Sequence, residues 1–135
     1  MTDEPATTTY AIREPFGHAM ESLRQALQGR NLLIIGQVSL SDRIRRTLRI
    51  DLDPCAILFI WPKARVQSWG GIPPAARLLL PLHVVVSGRP GARTEVHVLR
   101  SLRLEDDAEM GQVRESLADV NQALETIAMR VNLVE

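Results

Sequence analysis

The sequence lacks the residue patterns that mark most catalytic and metal-binding sites. Cysteine occurs once, as Cys55, so no disulfide can form within the chain. There is no GxGxxG or GxxxxGKS loop for phosphate, no GxSxG nucleophile turn and no HExxH zinc-binding helix. No spacing of serine, histidine and acidic residues predicts a catalytic triad. The sequence therefore predicts no cofactor, and it favours a binding domain over an enzyme.

An excess of charge of one sign is also absent. The 16 basic residues equal the 16 acidic residues, giving a formal net charge of zero. Nucleic-acid-binding proteins usually carry a basic excess, because phosphate contacts supply most of their affinity. No apolar run approaches the roughly 18 residues of a membrane helix, and Met1 to Thr9 lack the apolar segment of a secretory signal. We therefore expect a soluble, cytoplasmic protein, with nucleic acid and membrane both unfavoured as partners.

The chain is long enough and apolar enough to fold around one core. It has 135 residues, of which 45% are hydrophobic, and most domains fall near this size. Residues 1–8 carry no periodic apolar signal, so we expect a disordered tail there and a single domain over 9–135.

The periodicity predicts alternating helices and strands in the first half. A short strand over Thr9 to Arg13 precedes a helix with one apolar face, which Gly29 would end in a left-handed conformation. The next strand covers Leu32 to Val38. Ser39 and Asp42 resemble a helix start, and a short helix follows over Asp42 to Arg49 with Ile44 and Leu48 facing inward. The apolar face of the first helix consists of Phe16, Met20, Leu23 and Leu27.

The second half is predicted to contain three strands and a long helix. A central strand covers Cys55 to Trp61, and helical turns and a loop fill 62–79. Pro81 to Ser87 and Arg93 to Arg100 form a hairpin around a five-residue loop, Gly88 to Ala92. A helix over 106–132 has apolar residues alternately three and four apart. Its seam consists of Met110, Val113, Leu117, Val120, Leu124, Ile127 and Val131.

The order β-α-β-α-β-β-β-α, with a hairpin at its centre, predicts an α+β fold with helices on one face of an antiparallel sheet. The seam of the last helix has two interpretations. It packs on its own sheet, or it pairs with the same helix of a second subunit. A helix on a sheet usually has a wider apolar stripe, so the narrow seam favours a dimer contact from part of this helix.

Several segments together resemble the prokaryotic family called domain of unknown function 302. The resemblance covers about residues 10–100 and is carried mainly by two runs, Asp53-Pro54-Cys55-Ala56-Ile57-Leu58 and Leu79-Leu80-Pro81-Leu82-His83-Val84-Val85-Val86. It implies a fold similar to that of the TATA-binding protein and a tendency to dimerise, but no reaction. Relatives often carry cysteine and asparagine where this chain has Leu82 and His83, so the resemblance implies no thiol role here.

The hairpin register places His83 opposite His97 if the loop has five residues, with both side chains on the open face of the sheet. Two close imidazoles can bind a divalent metal, a haem edge or an anion. The alternative is two surface histidines on a half-solvated sheet or at a dimer contact. We favour it because no third ligand is evident and no HxxH or HxH spacing exists. Trp61 and Trp69 are further candidates, either as the lining of a pocket or as a cap on the core.

The helix over 42–49 carries four arginines, Arg43, Arg45, Arg46 and Arg49. They form either an anion-binding or nucleic-acid-binding patch, or a solvated face balanced by nearby aspartates. We favour the solvated face.

The leading hypothesis from sequence is a non-catalytic homodimeric module that binds a small molecule or a protein through the open sheet face or a cleft beside it. The alternative is a metal or cofactor carrier, or an enzyme, centred on His83 and His97. Nucleic-acid binding through the arginine-rich helix is the third hypothesis.

Overall fold

A computed structural model describes residues 7–99 and 111–131. In chain order, the strands and helices are β1 (Thr7–Ile12), α1 (Phe16–Gln28), β2 (Leu32–Ser39), α2 (Leu40–Leu48), β3 (Cys55–Pro62), a 3-10 turn (Trp69–Gly71), α3 (Pro74–Arg77), β4 (Leu82–Arg89), β5 (Arg93–Leu99), α4 (Gly111–Glu125) and β6 (Met129–Arg130). Within the described ranges, no helix is long and apolar enough to cross a membrane.

The described strands form one antiparallel sheet in the order β2-β3-β4-β5-β1-β6. This confirms the predicted α+β class. The likeness to the TATA-binding-protein fold stays a prediction. The sheet order places β1 between β5 and β6, which the sequence did not indicate.

One face of the sheet is covered and forms the core. Side chains alternate across a strand, so every second residue of β3, β4, β5 and β1 is buried. Helix α1 packs Leu23 and Leu27 into this core, both fully buried. Helix α4 contributes Val120 and Leu124 in the same way. The helices thus cover the sheet face that carries Leu58, Val84, Val86 and Val96.

The seam of the last helix packs on its own core. In the described part of the seam, Val113, Leu117, Val120 and Leu124 are at most 2% exposed. Ser116, Asn121 and Ala123 are also buried and widen the stripe. These four seam residues therefore pack within their own chain. The predicted dimer contact from part of this helix stays a prediction.

The last helix is shorter than predicted at its C-terminal end. It ends at Glu125, and Met129–Arg130 form β6 against β1. The Val131 amide also donates to the Thr9 carbonyl at 2.8 Å. Pairing satisfies backbone groups that the edge of β1 would otherwise leave unpaired. The predicted start of the helix over 106–110 lies outside the described residues.

Three local predictions have different outcomes. The Ser39 cap is confirmed, because its hydroxyl accepts the Asp42 amide. Gly29 was predicted to be left-handed but has φ −62, and Asn31 takes the left-handed conformation two residues later. Leu48 was predicted to face inward but is 61% exposed, since it lies in the last turn of α2.

Candidate interaction surface

No described helix covers the second face of the sheet, here called the open face. Its centre carries apolar side chains, which we call the apolar belt. Val38 pairs with Ile57, and Ile57 pairs with Val85, so these three residues form one row across β2, β3 and β4. Each is half-buried. Phe59 and Trp61, also half-buried, follow Ile57 at every second position along β3 and complete the belt.

The apolar surface continues to the edge strand. Leu33 pairs with Trp61 and is 38% exposed. Ile35, within the bulge between Ile34 and Gly36, is 57% exposed. Bulges at a sheet edge re-aim side chains and hinder further strand pairing. The belt and this edge together leave an apolar surface uncovered by the described chain.

The other half of the open face is polar. His97 accepts or donates a hydrogen bond with the Thr9 hydroxyl through Nδ1 at 3.0 Å. Its Nε2 lies 3.9 Å from Glu95 Oε1, and Arg93 donates to Glu95 Oε2 at 2.8 Å. We call Thr9, Arg93, Glu95 and His97 the polar cluster. Sequence reasoning missed it, because nothing in the residue pattern indicated that β1 pairs with β5.

The polar cluster resembles a hydroxyl-histidine-carboxylate arrangement only in composition. A distance of 3.9 Å is too long for the hydrogen bond that orients a catalytic imidazole. Arg93 also engages the carboxylate that would have to do so. The cluster is best described as a surface hydrogen-bond and ion-pair network.

The predicted register of the two histidines is wrong. Val85, not His83, lies opposite His97. The hairpin pairs Arg89 with Arg93, so the loop has three residues, with Gly91 and Ala92 at positive φ. A five-residue loop would have placed residue 83 opposite residue 97. The three-residue loop shifts the pairing by two residues, so residue 85 takes that position. His83 instead lies opposite Phe59 on β3, and it is a diagonal neighbour of His97 on the same face.

The described residues contain no metal-ligand cluster. Across 7–99 and 111–131, no group of three or more histidine, cysteine, aspartate or glutamate residues is arranged to hold a metal ion. Cys55 is half-buried, and its sulfur accepts the Ser87 hydroxyl at 3.8 Å. It lies at the end of the open face, two residues from Ile57 along β3.

The two tryptophans contact one another. Their ring centroids are 6.0 Å apart at an interplanar angle of 33°. Trp61 packs against the core and donates its indole hydrogen to the Val66 carbonyl at 3.1 Å. The Arg77 guanidinium lies 5.5 Å from the Trp69 ring centroid. The pair caps one end of β3, with Trp69 half-exposed to solvent.

Two of the depressions beside the sheet are lined by candidate site residues. A cavity of about 90 Å³ lies near the start of β4 and is lined mainly by aliphatic side chains, with His83 the one histidine among its described lining residues. It is smaller than the roughly 300–1,000 Å³ of small-molecule sites. A cleft of about 440 Å³ lies between β2 and α2 and is lined by Gln37, Val38, Ser39, Arg43, Arg46 and Thr47.

Helix α2 is fixed to the sheet by a buried serine that sequence reasoning missed. The Ser41 hydroxyl accepts the Cys55 amide at 3.2 Å and lies 3.5 Å from the Cys55 carbonyl. Arg45, on this helix, pairs with Asp42 at 3.2 Å and with Asp51 at 3.3 Å. Of the three aspartates predicted to balance this helix, Asp42, Asp51 and Asp53, the first two thus pair with Arg45.

Comparisons with known proteins agree with the fold. A family model described as "Domain of unknown function DUF302" matches residues 8–131 and extends beyond the predicted span of 10–100. The chain is also similar to an uncharacterized conserved DUF302 protein from Bacillus stearothermophilus, known from its crystal structure. Identity is 19% over 92% of this chain and 96% of that one, with a TM-score of 0.64, which shows the shared fold alone. Among curated proteins, no sequence matches this chain significantly.

Proposed function

The chain belongs to the family described as domain of unknown function DUF302, and from that premise we propose that it is a non-catalytic interaction module that acts as a homodimer through its open sheet face. The observation that carries this proposal is the apolar belt. Valine, isoleucine and phenylalanine side chains occupy the centre of a face that no described helix covers, and Trp61 lies at one end of it. Large uncovered apolar patches usually mark interaction sites.

The location of the belt favours a protein partner over a small molecule. A small-molecule site is concave and surrounds its ligand, whereas the belt extends as one row across β2, β3 and β4. A second apolar surface would remove Ile57 and Val85 from water together. Each fully buried aliphatic side chain contributes about 1.5–3 kcal/mol. The belt is thus suited to packing face to face with another sheet.

A second copy of this chain fits the charge and size of the face. The chain is neutral overall, so two copies do not repel one another strongly. The polar cluster offers a cation and an anion, Arg93 and Glu95, that can pair across a two-fold axis. Five strands about 4.8 Å apart and about six residues long give a flat area of roughly 500 Å². This area, which includes Leu33 and Ile35 on β2, is somewhat below the roughly 800 Å² per partner of a standard interface.

The proposal is tested by Val85→Arg, at the centre of the belt. In a monomer the arginine reaches water from a half-exposed position, so the fold survives. In a dimer, two like charges would face one another in a desolvated interface. We expect the wild type to sediment as a dimer at micromolar concentration, and the variant to raise the dimer dissociation constant by about a hundredfold or more.

Leu78→Arg is the matched control. Leu78 is 87% exposed and lies outside the sheet, so the same apolar-to-cationic change there should leave the dimer intact. Circular dichroism verifies that both variants are folded. A wild type that stays monomeric at every concentration would contradict the proposal, as would equal effects of the two substitutions.

The alternative, a metal or cofactor carrier or an enzyme centred on His83 and His97, is supported by one observation. Both histidines lie on the open face, and Thr9 fixes the ring of His97. The register finding weakens this alternative, because the two imidazoles are diagonal neighbours instead of facing one another.

A further inference from the structure

The cleft between β2 and α2 has the composition of an anion site. Two arginines line it from the helix, Arg43 and Arg46, and Gln37 and Ser39 line it from the strand. Thr47 adds a hydroxyl four residues after Arg43. Apart from Val38, every described lining residue has a polar or cationic side chain. The cleft is therefore unlike both the core and the apolar belt.

The positive charge in the cleft is not neutralised by the described chain. Within residues 7–99 and 111–131, the ion pairs of helix α2 are made by Arg45, to Asp42 and Asp51. Arg43 and Arg46 make no ion pair there. They are three residues apart, which places them on one side of the helix, where like charges repel one another. A bound anion would remove that repulsion.

The donors match a phosphate better than a carboxylate. A guanidinium presents its N–H groups in a planar fork that binds an oxyanion through two parallel hydrogen bonds. One arginine satisfies a carboxylate in this way. A phosphate monoester has three free oxygens and a charge of about −1.5 to −2 at neutral pH, so it can use both arginines and a further donor. The Gln37 amide and the Thr47 hydroxyl supply such donors.

We propose that this cleft binds the phosphate group of a small phosphorylated metabolite, with Arg43 and Arg46 holding the phosphate and Gln37 and Thr47 contacting it. The cleft measures about 440 Å³, which is within the range of small-molecule sites, roughly 300–1,000 Å³. It has room for a group attached to the phosphate. The arginines that would hold the phosphate belong to α2, and Val38 is the one described lining residue that the cleft shares with the apolar belt.

A single phosphate group suits this surface better than a nucleic acid. Nucleic-acid binding requires several phosphate contacts along a basic track. Here Asp42 and Asp51 neutralise the next arginine of the same helix, Arg45, and the chain as a whole is neutral. Arg43 and Arg46, which make no ion pair within the described residues, lie beside one cleft and therefore suit a single phosphate group.

The experiment titrates the full chain with glycerol phosphate and follows backbone amide chemical shifts at low ionic strength, with glycerol and sodium chloride as separate controls. We expect saturable shifts confined to β2 and α2 with glycerol phosphate alone. Arg43→Gln and Arg46→Gln should each weaken binding by about tenfold or more, because a charge-assisted hydrogen bond contributes about 1.5–3 kcal/mol. Arg46→Lys should recover only part of the loss, since an ammonium cannot form the planar fork.

Arg45→Gln is the matched control, since it removes the same charge from the same helix but from a residue that is paired and does not line the cleft. It should change the affinity by less than about twofold. Equal losses for Arg45→Gln and Arg43→Gln would overturn the proposal, because they would show diffuse attraction. So would the absence of saturation. Tighter binding of a single-stranded oligonucleotide, with a salt dependence that requires more than two phosphate contacts, would also overturn it and assign the surface to nucleic acid.

Discussion

The two faces of the sheet are built from alternate residues of the same strands, yet they have different surroundings. On β3, Leu58 and Ile60 are fully buried under the helices, whereas the alternate residues Ile57 and Phe59 are only half-buried. The strand is apolar on both sides, Cys55 to Trp61. Such a run is typical of a strand buried on both faces, but the described chain covers only one face.

This difference separates the residues that hold the fold from those available for function. The covered face meets α1 and α4 and includes all the large, fully buried side chains of the strands. The open face contains both the apolar belt and the polar cluster. An apolar side chain that is half-buried there contributes less to the stability of one chain than a fully buried one, and this is the ground for the proposed partner.

The largest contrast should come from neighbouring residues on β3. Leu58→Ala removes a fully buried side chain and should lower the free energy of unfolding by about 2–5 kcal/mol. Ile57→Ala removes a half-exposed one and should lower it by about 1 kcal/mol. Chemical denaturation measures both. Equal losses would mean that both faces are covered within one chain.

Protein concentration sharpens this comparison. If the belt forms a dimer interface, the wild type gains stability with increasing concentration, since association stabilises the folded state by mass action. Ile57→Ala should reduce that dependence, whereas Leu58→Ala should lower stability at every concentration alike.

A polar contact on the covered face should have the next largest effect. The Tyr10 hydroxyl is buried and donates to Asn121 Oδ1 at 2.8 Å, and Asn121 Nδ2 donates to the Leu117 carbonyl at 2.8 Å. Tyr10→Phe leaves the amide oxygen buried with one partner fewer. We expect a loss of about 1–3 kcal/mol in the free energy of unfolding. In an Asn121→Ala background the same change should cost less, because the contact is already gone. Additive losses would show that the hydrogen bond does not stabilise the fold.

The covered face could be predicted from sequence because it depends on local periodicity. Alternating runs identified β4 and β5, and spacings of three and four identified the buried residues of α1 and α4. The family resemblance pointed to the same α+β class. These signals require no knowledge of which strands are neighbours.

The open face could be predicted only in part, because it depends on register and on pairing between distant segments. His83 and His97 were correctly assigned to this face, but the position opposite His97 depended on the length of one loop. Left-handed Gly91 and Ala92 close that loop in three residues, and alanine carries little signal for such a conformation. The polar cluster required β1 to pair with β5 across 88 residues of chain, which no local pattern encodes.

The smallest effect should come from the polar cluster. The His97 side chain is 40% exposed and shares its one hydrogen bond with Thr9 at a solvated position. His97→Ala should therefore change the free energy of unfolding by about 0.5 kcal/mol or less, far below the effect of Leu58→Ala.

A zinc titration followed by thermal unfolding tests whether the two histidines bind metal, with the double variant His83→Ala and His97→Ala as the control. The two imidazoles are diagonal neighbours, and the described residues offer no third ligand. The wild type and the double variant should therefore respond to zinc in the same way. A saturable stabilisation by zinc that the double variant loses would instead assign the open face to metal binding, and the apolar belt would then be the surroundings of that site.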